Sequence, residues 1–169
     1  RLANELIYRE SKMKPDWTGM GTTVIAALIT DDLLSFAHVG DSRLYLLRQT
    51  TLQPLTIDHS WVAEQVRTGM MTEDEAERSP RRNIITRALG VDRRVDVTLG
   101  ETLLQPGDRA LLCSDGLTKG VRPEAILASL TRAEDMPTLS EDLIALANKA
   151  GGEDNTTVIV LSVRDAPET

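Results

Sequence analysis

The sequence predicts an α/β protein built from short strands and amphipathic helices. Runs rich in β-branched residues over 19–30 and 156–163 are typical of strands. Apolar residues at helical spacing over 2–13 and 139–150 predict helices. The chain has 169 residues, 41% of them apolar, which is about the length of one domain and enough for a sizeable core.

Charge and composition narrow the classes of function. The 26 acidic and 19 basic residues give a formal charge of -7, which argues against a nucleic-acid partner and favours cations. The single cysteine, Cys113, lies in an apolar run, so it cannot form an internal disulfide, and a reducing cytoplasm is the simplest compartment. We expect no membrane segment, because no apolar stretch approaches the roughly 20 residues that a spanning helix needs.

The first 30 residues predict a helix followed by a strand. The apolar side of the helix over 2–13 is formed by Leu2, Leu6, Ile7 and Met13. The strand over 19–30 follows a glycine-rich start, and we expect it to be buried on both faces. Because Arg1 opens directly onto the helical pattern without an N-cap, we expect the chain to continue something longer.

Two strands over 33–39 and 43–48 are joined by the acidic turn Gly-Asp-Ser that contains Asp41. A carboxylate at a strand end is held rigidly yet reaches solvent, which suits a hard cation such as Mg²⁺ or Mn²⁺. A simple hairpin turn explains the same residues equally well. His38 lies within the strand pattern and is expected to be a packed core residue.

The segment after these strands predicts a short strand and two short helices. The strand covers 52–55 and the helices cover 61–68 and 72–77. Thr72 is the N-cap of the second helix, and Glu75 completes its capping box. A basic turn follows, and insertions of this kind between strands often flank a functional site.

The next strands are predicted over 95–99 and 109–113. The second of them has no polar face after Arg109, which indicates a strand buried on both sides. A Ser-Asp-Gly turn ends it and places Asp115 where a cation could reach its carboxylate. Because Asp and Gly are ordinary turn formers, a turn cap without a ligand is the alternative.

Two helices and a strand complete the chain. Pro123 begins the first helix, over 123–130, at a position that helices tolerate. The helix over 139–150 ends at a glycine pair. Asp154 then precedes the last strand.

Three acidic turns, at Asp41, Asp115 and Asp154, therefore border apolar strands. Three carboxylates at strand ends suit an oxygen-ligand site for a hard divalent ion. The sequence contains no nucleophile elbow, no phosphate-binding Gly-x-x-x-x-Gly-Lys segment and no His-Glu-x-x-His zinc motif. With two histidines in the whole chain, a histidine-rich zinc site is excluded.

Six ordered motifs resemble those of the metal-dependent type 2C serine/threonine protein phosphatases, particularly the bacterial kind. They are GMGTT, HVGDSRLYL, LTIDHSWV, ITRALG, LLCSDGLT and GGEDNTTVIV. The resemblance implies a four-layer α-β-β-α sandwich with two central, mostly antiparallel sheets. It also implies a single phosphatase domain over 1–169, the C-terminal two-thirds or more of the family's domain, with a flap over 58–90 beside the active site.

By motif, Asp115 and Asp154 resemble the ligands of a pair of Mg²⁺ or Mn²⁺ ions, and Asp41 resembles the ligand of a third, weaker metal site. The resemblance implies hydrolysis of phosphoserine and phosphothreonine on proteins by a metal-activated water. It further implies a phosphoprotein substrate and an opposing serine/threonine kinase.

The family's phosphate-binding Arg, its RxxNED-like Asp and its DGxGGH-like motif have no counterpart after Arg1. His38 and His59 belong to other motifs, so no catalytic residue is assigned within this chain. We expect the N-terminal strands and ligands to be missing from the sequence, which would make it the C-terminal part of an active phosphatase. The alternative is a catalytically inactive phosphatase-like module that binds a phosphoprotein or another partner, and a structural or calcium-binding domain is a third interpretation.

Overall fold

The computed structural model describes residues 1–132 and 135–165. The described strands are β1 Val24–Thr30, β2 Leu33–Val39, β3 Arg43–Arg48, β4 Thr51–Pro54, β5 Thr98–Leu103, β6 Arg109–Cys113 and β7 Val158–Ser162. The described helices are α1 Leu2–Met13, α2 Trp61–Arg67, α3 Glu73–Arg78, α4 Asp115–Thr118, α5 Pro123–Arg132 and α6 Met136–Lys149, with a 3₁₀ turn over Pro15–Trp17.

The strands form two antiparallel sheets. One has the order β1-β2-β5 and the other β4-β3-β6-β7. In the four-stranded sheet, Leu44 of β3 pairs with Leu112 of β6, which in turn pairs with Ile159 of β7. The central strands β3 and β6 have the bounds that the apolar runs predict.

By their internal contacts, the residues fall into two compact units. The first contains residues 1–26, 36–41 and 57–100, and the second contains residues 27–35, 42–56 and those from 101 onward. Asp41 belongs to the first unit, whereas Asp115 and Asp154 belong to the second. A single domain over 1–169 stays a prediction, and residues 133–134 and 166–169 of that range lie outside the described part of the chain.

The main hydrophobic core lies in the second unit, where helices α4, α5 and α6 contribute side chains to one cluster with β3 and β6. Its buried members are Tyr45, Leu47, Leu111, Cys113, Leu117, Val121, Ile126, Leu130, Leu139, Leu143 and Ala147. Cys113 is 3% exposed, as its apolar surroundings in the sequence predict. This core fixes the end of β6, and Asp115 lies two residues after that end.

Helix α1 has its predicted bounds, but its buried face is polar. Asn4 and Ser11 are buried and Ile7 is half-buried, whereas Leu2 is 70% and Met13 is 68% exposed, so most of the predicted apolar side is open to solvent. The Asn4 amide donates to the carbonyls of residues 92 and 93 and accepts from the Gly90 N–H at 2.8 Å. These bonds satisfy the buried amide and explain why a polar residue lies inside.

Two predicted strands differ from the structure by more than two residues at one end. β1 begins at Val24 instead of residue 19. It is not buried on both faces, because five consecutive residues from 26 to 30 are exposed, with Leu28 at 67%. β5 covers Thr98–Leu103 instead of 95–99. It includes Gly100, which sequence rules disfavour in strands but which here lies against the Phe36 ring, where a side chain would not fit.

Several local predictions are confirmed. The capping box of α3 is present, with Thr72 and Glu75 bonding each other's backbone N–H. His38 is fully buried, as expected for a packed residue. Among the described residues, no helix is both long and apolar enough to cross a membrane.

Candidate metal centre

Asp115 and Asp154 are placed by the pairing of two neighbouring strands. β6 ends at Cys113, shortly before Asp115, and β7 begins at Val158, shortly after Asp154. Because Cys113 pairs directly with Val158, both acidic segments lie at the same end of the sheet. Asp115 does not lie in a turn, as the Ser-Asp-Gly sequence predicts, but is the first residue of α4.

The two carboxylates converge on one ammonium group. Lys119 Nζ lies 2.6 Å from Asp115 Oδ2 and 2.6 Å from Asp154 Oδ2. The side chain of Lys119 is 22% exposed, and those of Asp115 and Asp154 are 29% and 42% exposed. The carboxylates are therefore reachable from solvent and already arranged around a single cation.

The contacts of this site shift the pKa values of Lys119 and Asp154. Burial alone would lower the pKa of Lys119, but hydrogen bonds to both aspartates and their negative charges outweigh it and raise the pKa above the usual lysine value. The Lys119 hydrogen bond is the main reason that the pKa of Asp154 lies below its usual value, and the Asn155 N–H adds to this effect. Lys119 and Asp154 therefore stay charged at neutral pH.

Hydrogen bonds between the two acidic segments keep the carboxylates close together. Ser114 Oγ donates to the Asn155 carbonyl oxygen at 3.1 Å and accepts from the Thr157 N–H at 3.0 Å. The Ser114 N–H donates to the Thr157 carbonyl oxygen at 3.0 Å. Gly116 completes the contact, because a Cβ at this position would collide with the Asn155 carbonyl oxygen and lie 2.8 Å from its carbon.

We expect Gly116→Ala to separate the two carboxylates. The added methyl group would push the Asn155 backbone away, and Asp154 would move with it. The free energy of unfolding should fall by about 1 to 3 kcal/mol, as in other overpacked sites. The Kd for Mn²⁺, measured by calorimetry, should rise by roughly tenfold or more, since ligand geometry is lost.

Gly107→Ala is the matched control for this substitution. Gly107 has a φ of +90°, but no atom outside its own neighbourhood lies within 4 Å of a Cβ placed there. The control should therefore lose stability through backbone strain alone and keep its Mn²⁺ affinity. If Gly116→Ala binds Mn²⁺ as tightly as the wild type does, the close approach at Gly116 is not needed by the site.

Asp41 lies between β2 and β3, in the first unit, where His59 holds the residue before it. The Gly40 N–H donates to His59 Nδ1 at 3.1 Å, and the His59 N–H donates to the Gly40 carbonyl oxygen at 2.8 Å. Gly40 has a φ of +113°, a backbone conformation that residues other than glycine rarely adopt. The start of the predicted flap is thus bonded to the Asp41 turn through main-chain and imidazole atoms.

His59 is a structural contact in its neutral form. Because Nδ1 accepts a hydrogen bond from Gly40, the ring proton is assigned to Nε2, which donates to Thr98 Oγ1 at 2.9 Å. Burial lowers the pKa of His59 to about 4, and the charges of His38 and Arg87 add to the effect. The ring also stacks on His38, with centroids 4.6 Å apart. The neutral ring, with both nitrogens hydrogen-bonded, connects Gly40 to Thr98.

The Asp115 and Asp154 side chains fit a hard divalent ion in chemistry and arrangement. The Lys119 ammonium is a stand-in cation, and it shows that one oxygen of each carboxylate can face the same positive charge. Within residues 1–132 and 135–165, no three His, Cys, Asp or Glu side chains gather into a metal-binding group. Two carboxylates are still a sufficient protein contribution for Mg²⁺, which usually keeps several waters.

Sequence reasoning identifies both carboxylates but misses Lys119 and Gly116. The available signal for Lys119 is its spacing, because residues four apart face each other on a helix. That signal is lost when the segment is interpreted as a turn. Gly116 carries no such signal, since its neighbour Asn155 is distant in the sequence.

Comparison with known proteins gives consistent similarities. Residues 5–153 match the family model described as Protein phosphatase 2C. The serine/threonine phosphatase stp of Listeria innocua is 45% identical over 159 residues, covering 92% of this chain and 61% of the relative. The serine/threonine protein phosphatase PstP of Mycobacterium tuberculosis is 42% identical over 168 residues, covering 98% of this chain and 32% of the relative. The chain thus spans less than two thirds of the length of these curated relatives.

Solved structures agree with this result. The serine/threonine phosphatase of S. agalactiae has a TM-score of 0.92 and 42% identity, covering 96% of this chain and 67% of that one. The catalytic domain of PstP, solved in complex with two manganese ions, has a TM-score of 0.87 and 41% identity, covering 96% of this chain and 67% of that one. These similarities confirm the predicted α/β sandwich.

Proposed function

Because this chain belongs to the protein phosphatase 2C family, we propose that it is part of an enzyme that uses divalent metal ions to hydrolyse phosphoserine and phosphothreonine on proteins. The observation that carries the proposal is the convergence of Asp115 Oδ2 and Asp154 Oδ2 on one cation at the paired ends of β6 and β7. When bound, Mg²⁺ or Mn²⁺ supplies Lewis acidity toward the phosphate and the attacking water.

The residues of this chain act as ligands and as a rigid frame. Asp115 and Asp154 would hold the metal pair, and the bonds of Ser114 to the opposite segment keep their spacing. Asp41 would hold a third ion, in a turn that His59 fixes. No residue of this chain is assigned as the general acid or as the main phosphate-binding group.

Partners follow from the same chemistry. The substrate would be a phosphorylated protein, placed with the help of the flap over 58–90, and an opposing serine/threonine kinase would supply it. The net charge of -7 disfavours nucleic acid. The cytoplasm suits both a phosphoprotein substrate and a buried cysteine, Cys113, that is outside any disulfide.

A catalytically inactive, phosphoprotein-binding module is the alternative function. The observation that favours it is Lys119, whose ammonium forms ion pairs with both carboxylates and balances part of their charge. The two functions differ in what Mn²⁺ does: an enzyme needs it for turnover, whereas a binding module does not.

The test is hydrolysis of a phosphothreonine peptide by the protein expressed from its native start codon. We expect phosphate release with Mn²⁺, a fall of at least roughly a hundredfold when a chelator removes the metal, and recovery when Mn²⁺ is restored. Measuring phosphate release with Mg²⁺ in place of Mn²⁺ would identify which of the two ions supports hydrolysis. An inert protein at saturating Mn²⁺ that still binds the phosphopeptide, measured by fluorescence anisotropy, would establish the binding module instead.

A further inference from the structure

We propose that Lys119 is a tethered counter-ion that competes with the divalent metal for Asp115 and Asp154, and so sets the metal concentration at which the site fills. The inference rests on the proposed function, since it concerns the same two carboxylates. Asp115 and Asp154 would provide the metal ligands, and Lys119 would weaken the binding of the metal to them.

The geometry makes the two cations mutually exclusive at these oxygens. Lys119 Nζ lies 2.6 Å from both Oδ2 atoms, which is close to the shortest distance for a charge-assisted contact between nitrogen and oxygen. A divalent ion bound to the same two oxygens would lie within a few ångströms of the ammonium. At that separation the repulsion between a double and a single positive charge is large in a partly enclosed site. Metal binding therefore requires the ammonium to leave.

The backbone of Lys119 is fixed, although its side chain is flexible. The Lys119 N–H donates to the Asp115 carbonyl oxygen at 2.8 Å, and Val121, two residues further on, is 5% exposed within the core. The side chain has a flexible four-carbon stem, so the ammonium can swing toward solvent without unfolding the segment. Because the lysine is attached next to the carboxylates, it competes at a high effective concentration.

The same contacts stabilise the protein when metal is absent. Without Lys119, two carboxylates held close by the Ser114 hydrogen bonds would repel each other. Removal of the ammonium should therefore have two opposite effects, a less stable metal-free protein and a tighter metal complex. A lysine with a purely structural role would show the first effect and not the second.

The experiment compares Lys119→Met with the wild type, both expressed from the native start codon. Methionine keeps a long, flexible side chain and removes the charge. We expect the Kd for Mn²⁺, measured by calorimetry, to fall by about tenfold, because the metal no longer has to break a partly exposed ion pair when it binds. The Tm without metal should fall by a few degrees, and the rise in Tm on adding Mn²⁺ should be larger than in the wild type.

Two further variants control for charge and chain length. Lys12→Met makes the same change on α1, where the ammonium lies 5.2 Å from the centre of the Tyr8 ring, and should leave the Mn²⁺ affinity unchanged. Lys119→Arg keeps the positive charge and should keep the Kd close to that of the wild type.

An unchanged or larger Kd in Lys119→Met would overturn the proposal. Asp115→Asn separates that failure from failure of the metal centre itself. If the wild type binds Mn²⁺ and Asp115→Asn does not, the centre stands and only the role of Lys119 is wrong. If no variant binds Mn²⁺, Lys119→Met included, the competition and the proposed metal centre fail together.

Discussion

Replacement of Asp115 by asparagine is expected to lower Mn²⁺-dependent phosphate release by roughly a thousandfold. Asparagine has the same shape and removes the negative charge, so the change tests the ligand and not the packing. The loss of several kcal/mol of charge stabilisation by a metal corresponds to two or three powers of ten in rate. Release of phosphate from a phosphothreonine peptide at saturating Mn²⁺ measures it.

The fold should survive this substitution. The Asp115 side chain is 29% exposed and is not part of the core cluster, and Lys119 keeps its second partner, Asp154. Thermal unfolding of the metal-free protein should therefore be little changed, which separates lost chemistry from lost structure.

Asp142→Asn is the matched control for this prediction. Asp142 also belongs to the second unit and also faces a cation, since it lies 3.6 Å from Arg132, but its side chain is 46% exposed. Surface ion pairs of this kind contribute little, so the rate should stay within about twofold of the wild type. Retention of more than a tenth of the wild-type rate in Asp115→Asn would rule out Asp115 as a metal ligand.

The sequence could predict those parts of the site that depend on local pattern. The uninterrupted apolar runs of β3 and β6 predict buried central strands, and an acidic residue lies close to one end of each run. Together with the acidic turn ahead of the last strand, this pattern marks Asp41, Asp115 and Asp154 as candidates. It could not predict that Asp115 begins a helix, because α4 is only four residues long and has no side-chain cap bond.

The features that sequence patterns miss depend on contacts between distant segments. The predicted bounds of β5 are wrong because Gly100 weakens the strand pattern, and the reason for the glycine is the Phe36 ring, which lies far away in the sequence. The polar face of α1 is missed because Asn4 is satisfied by the backbone around Gly90. In each case the deciding partner is more than 60 residues away, where periodicity carries no information.

Asp108 is a further residue of this kind, and Asp108→Ala is expected to lower the free energy of unfolding by about 3 kcal/mol. Its side chain is 2% exposed and accepts from Arg48 Nε at 3.0 Å and from Arg48 Nη2 at 2.7 Å. Breaking a buried pair by removal of one partner typically costs about 3 to 5 kcal/mol. The lower end applies here because the Arg48 side chain is 36% exposed and water can solvate it.

The loss should be large because the Asp108 carboxylate has more than one partner. Besides the two Arg48 nitrogens, it accepts from the Gln105 N–H at 2.8 Å. Arg48 Nη2 in turn donates to the Leu103 carbonyl oxygen at 2.7 Å. Alanine would leave the Gln105 N–H without its acceptor and the guanidinium without its counter-charge.

The pH dependence of stability distinguishes this ion pair from a simple packing defect. Burial alone would raise the pKa of Asp108, but the Arg48 hydrogen bond, the Gln105 N–H and the Arg48 charge together lower it below the usual 3.8. A carboxylate with a lowered folded-state pKa stabilises the protein above its unfolded-state pKa, and this contribution disappears as the pH falls through the folded-state value. The difference between wild type and Asp108→Ala, measured by urea unfolding, should be constant near neutral pH and shrink only below about pH 4.

Asp142→Ala serves as the surface comparison, and its free energy of unfolding should stay within about 0.5 kcal/mol of the wild-type value. If the Asp108→Ala difference were the same at pH 3 as at pH 7, the lost stability would come from packing and not from the ion pair. A difference that shrinks in acid would instead identify Asp108 and Arg48 as the electrostatic anchor at the start of β6, the strand whose other end leads to Asp115. Asp115, the proposed metal ligand, and the ion pair then lie beyond opposite ends of one strand, and the ion pair contributes the larger share of stability.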